Sequence, residues 1–315
     1  NLASVKSLQG DDQEAIKYFK TFLGYYPDDA EARANLASIY LKMDKYQDAA
    51  DEYATLYTKN PAAFKEYPNY GLALLRSGDY TNAVEMFKKA VRNDSTDYAS
   101  HANMALAYVR LSKDELALIE FRNAFSIKPD LNDLKLDYAN LLADMGKTQD
   151  AIAMYKEYIQ YKPKDAAAYY NLGLVYQKNE KYADAINTFK SALSLNSSNV
   201  DVKKELARTY HLSKNYPEAI KLYDELLTVD KNDYNVLFNK AIAEHALGNY
   251  ESAIAIYKNL YAQRNEPKVR DYLGKAYIAQ GESLMKNGQT KKALSYYEQA
   301  ADLNANDSVA LVAMA

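Results

Sequence analysis

Small and aromatic residues recur along this chain at a fixed interval of 34 positions. The small residues are Ala15, Ala49, Ala83, Ala117, Ala151, Ala185, Ala219, Ala253 and, after a step of 40, Ala293. Four residues after each alanine comes an aromatic ring, namely Phe19, Tyr53, Phe87, Phe121, Tyr155, Phe189, Tyr223, Tyr257 and Tyr297. A fixed period of this size predicts a stacked array of similar units instead of a set of globular domains.

Each unit is predicted to contain two helices joined by a polar turn. We number the positions of a unit from 1 to 34 on residues 166–199. In its first half, one helical face carries Tyr169, Leu172, Gly173 and Tyr176. In its second half, similar spacing is shown by Tyr182, Ala185, Ile186, Phe189, Ala192 and Leu193. Residues 178–181 form the polar turn, so each unit consists of helix A, a turn and helix B.

Glycine and proline mark the ends of these helices. At the turn between helices A and B, where a helix end favours a positive φ, lie Gly10, Gly78, Gly146, Gly248 and Gly288. Position 8, where we expect a close helix contact, is occupied by Gly71, Gly173 and Gly274. Pro68 falls inside helix A of its unit, so that helix is expected to start there, one turn late, or to kink.

These residues resemble the tetratricopeptide repeat (TPR) family. The resemblance rests on Leu172-Gly173, Tyr176, Ala185, Phe189 and Ala192, with Pro163 closing the unit before, and it covers nearly the whole chain. It implies an all-α fold, a right-handed superhelix of about nine helix-turn-helix repeats, with helix A lining a concave groove. One departure is Tyr, His, Leu or Lys at position 4, where the family often has Trp.

The register predicts a single array over residues 1–315. Its units are 1–29 (start missing), 30–63, 64–97, 98–131, 132–165, 166–199, 200–233, 234–266 and 267–307, and 308–315 opens a further helix. In the ninth unit the second half comes seven residues late, so its first helix is expected to run roughly over 267–287. Both ends are expected to be cut inside the array.

Composition and charge exclude several classes of function. The net charge of −3 gives no whole-chain argument for nucleic acid, and no run approaches the roughly 18 apolar residues of a membrane span. The chain has no cysteine, which excludes disulfides and thiol catalysis. We therefore expect no cofactor, no direct membrane insertion and a soluble protein, with the cytoplasm slightly favoured. An exported protein stays open because Asn1 is not a natural start.

Catalytic and metal-binding residues are not predicted. No glycine-rich phosphate loop and no HExxH or GxSxG motif occurs. His101 occupies position 4 and is expected to be packed in the core. His211 and His245 share position 12 in successive units, but a histidine pair without a third ligand is a weak indication of a metal. The chain is predicted not to be an enzyme.

A row of asparagines is the main candidate for binding. Position 6 holds Asn35, Asn69, Asn103, Asp137, Asn171, Glu205 and Asn239. One interpretation is a polar helix surface or hydrogen bonds between neighbouring units. The other is a ladder of amides that pairs with the backbone of an extended peptide, similar to the asparagine ladder of the TPR superhelix of O-GlcNAc transferase. Asp137 and Glu205 interrupt the row.

Further groove residues are charged or aromatic. Position 13 carries Lys42, Arg76, Arg110, Asp144 and Lys178. The four basic residues at this position either complement the helix dipole or favour an acidic peptide. Tyr170 and Phe238, at position 5, either contact peptide side chains or are part-buried between adjacent A helices. Lys204, Arg208 and Lys268, together with Asn239, resemble the carboxylate clamp of chaperone-binding TPR domains, although Arg208 and Tyr272 depart from that clamp. The cluster is interpreted either as an anion site or as a solvated charged face.

The sequence therefore predicts a protein–protein interaction scaffold or adaptor whose groove binds an extended peptide or a partner helix. The first alternative is the substrate-recognition arm of an enzyme, similar to that glycosyltransferase, whose catalytic domain lies outside the sequence. The second is a structural module that self-associates end to end.

Overall fold

The computed structural model describes residues 2–303, which form eighteen α-helices and one short 3-10 helix without any β-strand. Two compact units make up the chain, Asn1–Tyr161 and Lys162–Ala315. In both units, consecutive helices pair into antiparallel hairpins of one helix A and one helix B, as the sequence predicts. No helix among these residues is both long and apolar enough to cross a lipid bilayer.

The first unit contains five hairpins. They are α1 (Leu2–Leu8) with α2 (Asp12–Tyr25), α3 (Ala30–Lys42) with α4 (Tyr46–Lys59), α5 (Tyr67–Ser77) with α6 (Tyr80–Asn93), α7 (Tyr98–Arg110) with α8 (Asp114–Ile127), and α9 (Lys135–Asp144) with α10 (Thr148–Tyr161). The 3-10 turn Asn132–Leu134 precedes α9. The predicted late start of α5 is confirmed, with Pro68 in its first turn, where a missing N–H costs little.

The second unit contains four hairpins. They are α11 (Ala166–Lys178) with α12 (Tyr182–Leu195), α13 (Val200–Leu212) with α14 (Tyr216–Val229), α15 (Tyr234–Ala246) with α16 (Tyr250–Arg264), and α17 (Pro267–Lys286) with α18 (Thr290–Leu303). Helix α17 has 20 residues, whereas the preceding A helices α11, α13 and α15 have 13 each.

The turns between helices A and B share one backbone conformation. Gly10, Gly78, Gly146, Gly248 and Gly288 all have positive φ, as predicted. At the same place in the other four hairpins, positive φ is adopted by Asp44, Ser112, Glu180 and Lys214. Because L-residues adopt this region at a cost, the hairpin geometry must be imposed by packing of the two helices as well as by glycine.

The core of each hairpin is a small residue of helix A opposed to an aromatic residue of helix B, sixteen positions later. The small residues are Ala3, Ala37, Gly71, Ala105, Ala139, Gly173, Ala207, Ala241 and Gly281, and all are buried. The nine aromatic residues of the repeating pattern are at most 4% exposed. At Gly173 the contact is so close that a Cβ atom would lie 2.5 Å from the Phe189 ring.

In the ninth hairpin this small residue is Gly281 and not Gly274. A Cβ atom at Gly281 would lie 2.5 Å from the Tyr297 ring, whereas one at Gly274 would meet nothing within 4 Å. The expectation of a close contact at Gly274 is therefore wrong. The start of α17 packs against the preceding hairpin, where Tyr272 contacts Phe238 and Tyr257. The later turns of α17 pair with α18, so the small residue that contacts α18 lies seven residues after Gly274.

This assignment predicts opposite effects for two glycine substitutions in one helix. Gly281→Ala should lower the free energy of unfolding by about 1–3 kcal/mol, because the buried Tyr297 ring has to move. Gly274→Ala should raise it by about 0.5–1 kcal/mol, because alanine loses less backbone entropy in a helix. Urea unfolding followed by circular dichroism measures both. Equal effects of the two substitutions would contradict the assignment.

Candidate functional site

Neighbouring A helices pack against one another in the middle of the first unit and at the start of the second. In the first unit α3 packs against α5 and α5 against α7, and in the second unit α11 packs against α13 and α13 against α15. Among the described residues, successive B helices do not pack together to this extent. Helices that are closer to one another lie on the inner side of a curved stack, so in each unit the A helices line the concave side, which we call the groove.

Two open cavities lie in the groove of the first unit. The first, of about 310 Å³, is lined by Ser4, Ser7, Leu8, Phe19, Asn35, Ser38, Ile39 and Lys42. The second, of about 340 Å³, is lined by Ala30, Glu31, Ala34, Asn35, Leu56, Asn60, Ala63, Phe64, Lys65 and Glu66. Asn35 is common to both linings, so its side chain stands between the two cavities. The sequence gives no sign of either cavity.

The asparagines of the first unit differ in their hydrogen bonding. The half-buried amides of Asn35 and Asn103 have no hydrogen-bond partner among the described residues. Asn69 is exposed and donates to Oε2 of Glu66 at 2.8 Å. The structure thus leaves two amides of this unit able to donate and accept, which is what the ladder interpretation requires.

Asp137 interrupts this row and lies within the influence of Arg110. Its carboxylate is exposed to water, yet the surrounding protein removes enough hydration to raise the pKa of Asp137, and Arg110 partly opposes the shift. The charge of Arg110 is therefore close enough to Asp137 to act on its carboxylate.

In the second unit, one residue at position 6 forms a hydrogen bond between neighbouring A helices. Glu205 accepts a hydrogen bond from Nε2 of the buried Gln177, at 3.0 Å, and this bond joins successive A helices. The contact is of the inter-unit kind that the first interpretation requires. Asn171 is half-buried, while Asn239 has no hydrogen-bond partner among the described residues.

The cations of position 13 also divide into two groups. Lys42 forms an ion pair with Asp12 at 2.9 Å, so its charge is already balanced. Arg76, Arg110 and Lys178 are exposed and form no ion pair with a described residue. Three of the four predicted cations are therefore available to an anionic group.

Tyr170 and Phe238 have different environments. Tyr170 is half-buried with its ring 6.0 Å from that of Phe189. Phe238 is only 8% exposed and packs between Tyr257 and Tyr272, with ring centroids 6.0 and 5.3 Å away. The structure therefore places Phe238 in the core and not on the groove surface. Its burial depends on Tyr272 of the long helix α17, which covers it from the next hairpin.

The predicted anion site is largely neutralised. Lys204 donates to Oδ2 of Asp233 at 2.7 Å, and this hydrogen bond raises the pKa of Lys204. Arg208 lies 3.5 Å from Oε2 of Glu205, and Lys268 lies over the Phe238 ring at 4.8 Å. Because two of the three cations have a carboxylate beside them, the cluster offers little net positive charge to an anion.

Ion pairs inside the hairpins are a feature that the sequence analysis missed. Position 4 of helix A reaches a carboxylate of helix B in the ion pairs Arg33–Glu52 (2.5 Å), Lys135–Glu157 (2.7 Å) and Lys203–Glu225 (3.4 Å). At the same position, Nδ1 of His101 is within hydrogen-bond distance of Oε2 of Glu120, at 2.5 Å. The core position expected for His101 is confirmed, since it is 9% exposed. The repeated pairing of a base at position 4 with an acid in helix B is a signal that could have identified these contacts.

His211 and His245 pack against tyrosines. His211 lies edge-on to Tyr216 at 5.4 Å, and His245 to Tyr250 at 5.3 Å. Within residues 2–303 no group of three or more His, Cys, Asp or Glu side chains is placed to hold a metal ion. The two histidines therefore belong to the packing of the second unit.

Family models for the tetratricopeptide repeat match residues 8–67, 70–129, 139–180, 176–239, 215–267 and 274–307. The chain belongs to the tetratricopeptide repeat family. Among solved structures, the C-terminal part of a TPR protein from Cytophaga hutchinsonii is 20% identical with a TM-score of 0.59, covering 79% of this chain and 99% of that one. The fold is thus an all-α TPR solenoid.

Curated relatives match only part of the TPR array. Hsp70-Hsp90 organizing protein 1 of Glycine max is 28% identical over 181 residues, which are 51% of this chain and 30% of that protein. The probable UDP-N-acetylglucosamine–peptide N-acetylglucosaminyltransferase SPINDLY of Hordeum vulgare is 28% identical over 153 residues, which are 45% of this chain and 16% of that protein. The chain thus spans less than a third of the length of either relative.

The two packed histidines predict a pH dependence of stability. Burial lowers the pKa of both His211 and His245 in the folded TPR array. In the unfolded chain a histidine has a pKa of about 6.5. The contribution of the two neutral histidines to the free energy of unfolding is therefore fully present above about pH 6.5, and it is lost as the pH falls towards their lower pKa values in the folded protein. The double variant His211→Gln and His245→Gln should therefore lose less thermal stability than the wild type between pH 7.5 and pH 5. Melting curves measured by circular dichroism compare the two proteins, and parallel losses would contradict the prediction.

Proposed function

We propose that this TPR chain is a protein-interaction module that binds an extended peptide along the groove of its first unit. The observation that carries the proposal is Asn35, whose half-buried amide has no partner among the described residues and lies between two open cavities. A side-chain amide can pair with peptide backbone whatever the peptide sequence. Adjacent cavities would hold the side chains on either side of that backbone.

Two further features support the proposal. Asn103 offers a second unpaired amide, and Arg76 an unpaired cation, on A helices of the same unit. The relative from Glycine max is an Hsp70-Hsp90 organizing protein by name, which denotes an action on other proteins. Several modest contacts along one surface would supply the binding energy, so that affinity should fall in steps as contacts are removed.

The barley relative favours a second candidate function. That protein is named as a probable N-acetylglucosaminyltransferase acting on peptides. The TPR array would then be the recognition arm of a larger enzyme, and its groove would present the peptide to a catalytic domain. Sequencing the full reading frame of the gene tests this candidate function, because it requires that the same frame also encode a glycosyltransferase domain.

Replacing the asparagines of the first unit should weaken peptide binding in steps. We expect each of Asn35→Ala and Asn103→Ala to raise the Kd of a bound decapeptide about 2- to 10-fold, the effect of one lost hydrogen bond. Adding Asn69→Ala should weaken binding further. Peptides selected from a random decapeptide library and labelled with fluorescein allow the Kd to be measured by fluorescence anisotropy.

The matched control is Asn187→Ala, which removes an exposed amide from helix B of α11–α12. It should leave the Kd unchanged. Because alanine is the better helix former, none of these variants should unfold the array, and circular dichroism checks this. Unchanged affinity in the triple variant would show that the asparagines have a structural role only.

A further inference from the structure

The second cavity of the first unit exists because α5 begins late. Helices α3 and α7 begin at position 1 of their repeats, at Ala30 and Tyr98, whereas α5 begins at Tyr67, three residues after position 1. Pro68 keeps the helix from extending towards its N-terminus, because proline has no N–H to donate to the carbonyl four residues earlier and its ring clashes with that carbonyl. The missing turn leaves a space of about 340 Å³ against α3 and the end of α4.

The floor of this cavity is apolar and held in place. It consists of Ala30, Ala34, Leu56, Ala63 and Phe64. Phe64 is 5% exposed, and its ring contacts Tyr57 and Tyr67 edge-on at 5.2 and 4.9 Å. An anchored ring and small neighbouring side chains form a fixed surface that suits the methylene groups of a long side chain.

The rim of the cavity is acidic. Glu31 is exposed and forms no ion pair with a described residue. Glu66 forms no ion pair with a described residue either, and its carboxylate accepts a hydrogen bond from the side-chain amide of Asn69. Several other carboxylates of this unit form ion pairs, as in Asp12–Lys42 and Glu52–Arg33, whereas others, such as Glu115, do not. Lys65 also reaches the lining, so the rim carries two negative charges and one positive charge.

An apolar floor beneath a net negative rim complements a side chain with a long aliphatic part and a cationic end. We propose that this cavity binds an arginine or lysine side chain of the peptide whose backbone pairs with Asn35. The stem lies on Phe64 and Leu56, and the cation lies between Glu31 and Glu66. This assignment rests on the proposed function of the groove and adds to it the class of residue that the peptide must carry.

A positional-scanning library of decapeptides, labelled with fluorescein, tests the assignment on the full chain. One peptide position should show a preference for Arg and Lys over Met and Glu. For the peptide with Arg at that position, the double variant Glu31→Gln and Glu66→Gln should raise the Kd about tenfold at low salt. For the same peptide with Met in place of Arg, the Kd should change less than twofold.

Two further variants distinguish binding in the cavity from the effect of removing negative charge anywhere in the unit. Glu115→Gln removes an exposed carboxylate of the same unit that lines neither groove cavity, and should leave both Kd values unchanged. Ala34→Leu fills the cavity floor while both carboxylates remain, and should weaken the Arg peptide at least as much as the double variant. Circular dichroism confirms that each variant is folded.

The outcomes distinguish this assignment from the proposed function. Peptides that bind in an Asn35-dependent manner, but without a basic preference at any position, would overturn the assignment and leave the proposed function standing. An equal loss for the Arg and Met peptides in the double variant would also overturn it. If no decapeptide binds the wild type, both proposals fail.

Discussion

Each hairpin of this protein depends on one contact, in which a small residue of helix A opposes a buried aromatic ring of helix B. The small residue and the ring are sixteen positions apart and buried in all nine hairpins of residues 2–303, and the ring lies against the small residue at Gly71, Gly173 and, despite the longer α17, Gly281. A ring packed this tightly fixes how closely the two helices approach and which face of helix A is buried. The four hairpins with a non-glycine residue at positive φ in the turn show that this packing also constrains the backbone.

The same contact determines which residues are free for binding. Positions 6 and 8 of helix A are two residues apart, and two residues on an α-helix point about 200° away from each other. If position 8 faces helix B, position 6 faces the groove. The fold therefore sets few limits on position 6, where the chain holds unpaired asparagines at Asn35 and Asn103 and a structural hydrogen bond at Glu205.

The parts of the fold that depend on spacing within one hairpin could be predicted from the sequence. These include the helix pairs, the turns and the late start of α5 at Pro68. Features that depend on a neighbouring hairpin could not. Gly274 has the expected spacing but faces open space, and Phe238 is covered by Tyr272 of the next helix. The two cavities beside Asn35 depend on volumes that several helices leave open, which a one-dimensional pattern does not contain.

We propose that peptide backbone binds the face of helix A opposite the buried contact. A crystal structure of the full chain with a decapeptide selected from the random library can show where the peptide lies. We expect an extended peptide across α3 and α5, with the side-chain amide of Asn35 within hydrogen-bond distance of the peptide main chain. A peptide seated on the B helices, with Asn35 still facing solvent, would contradict it.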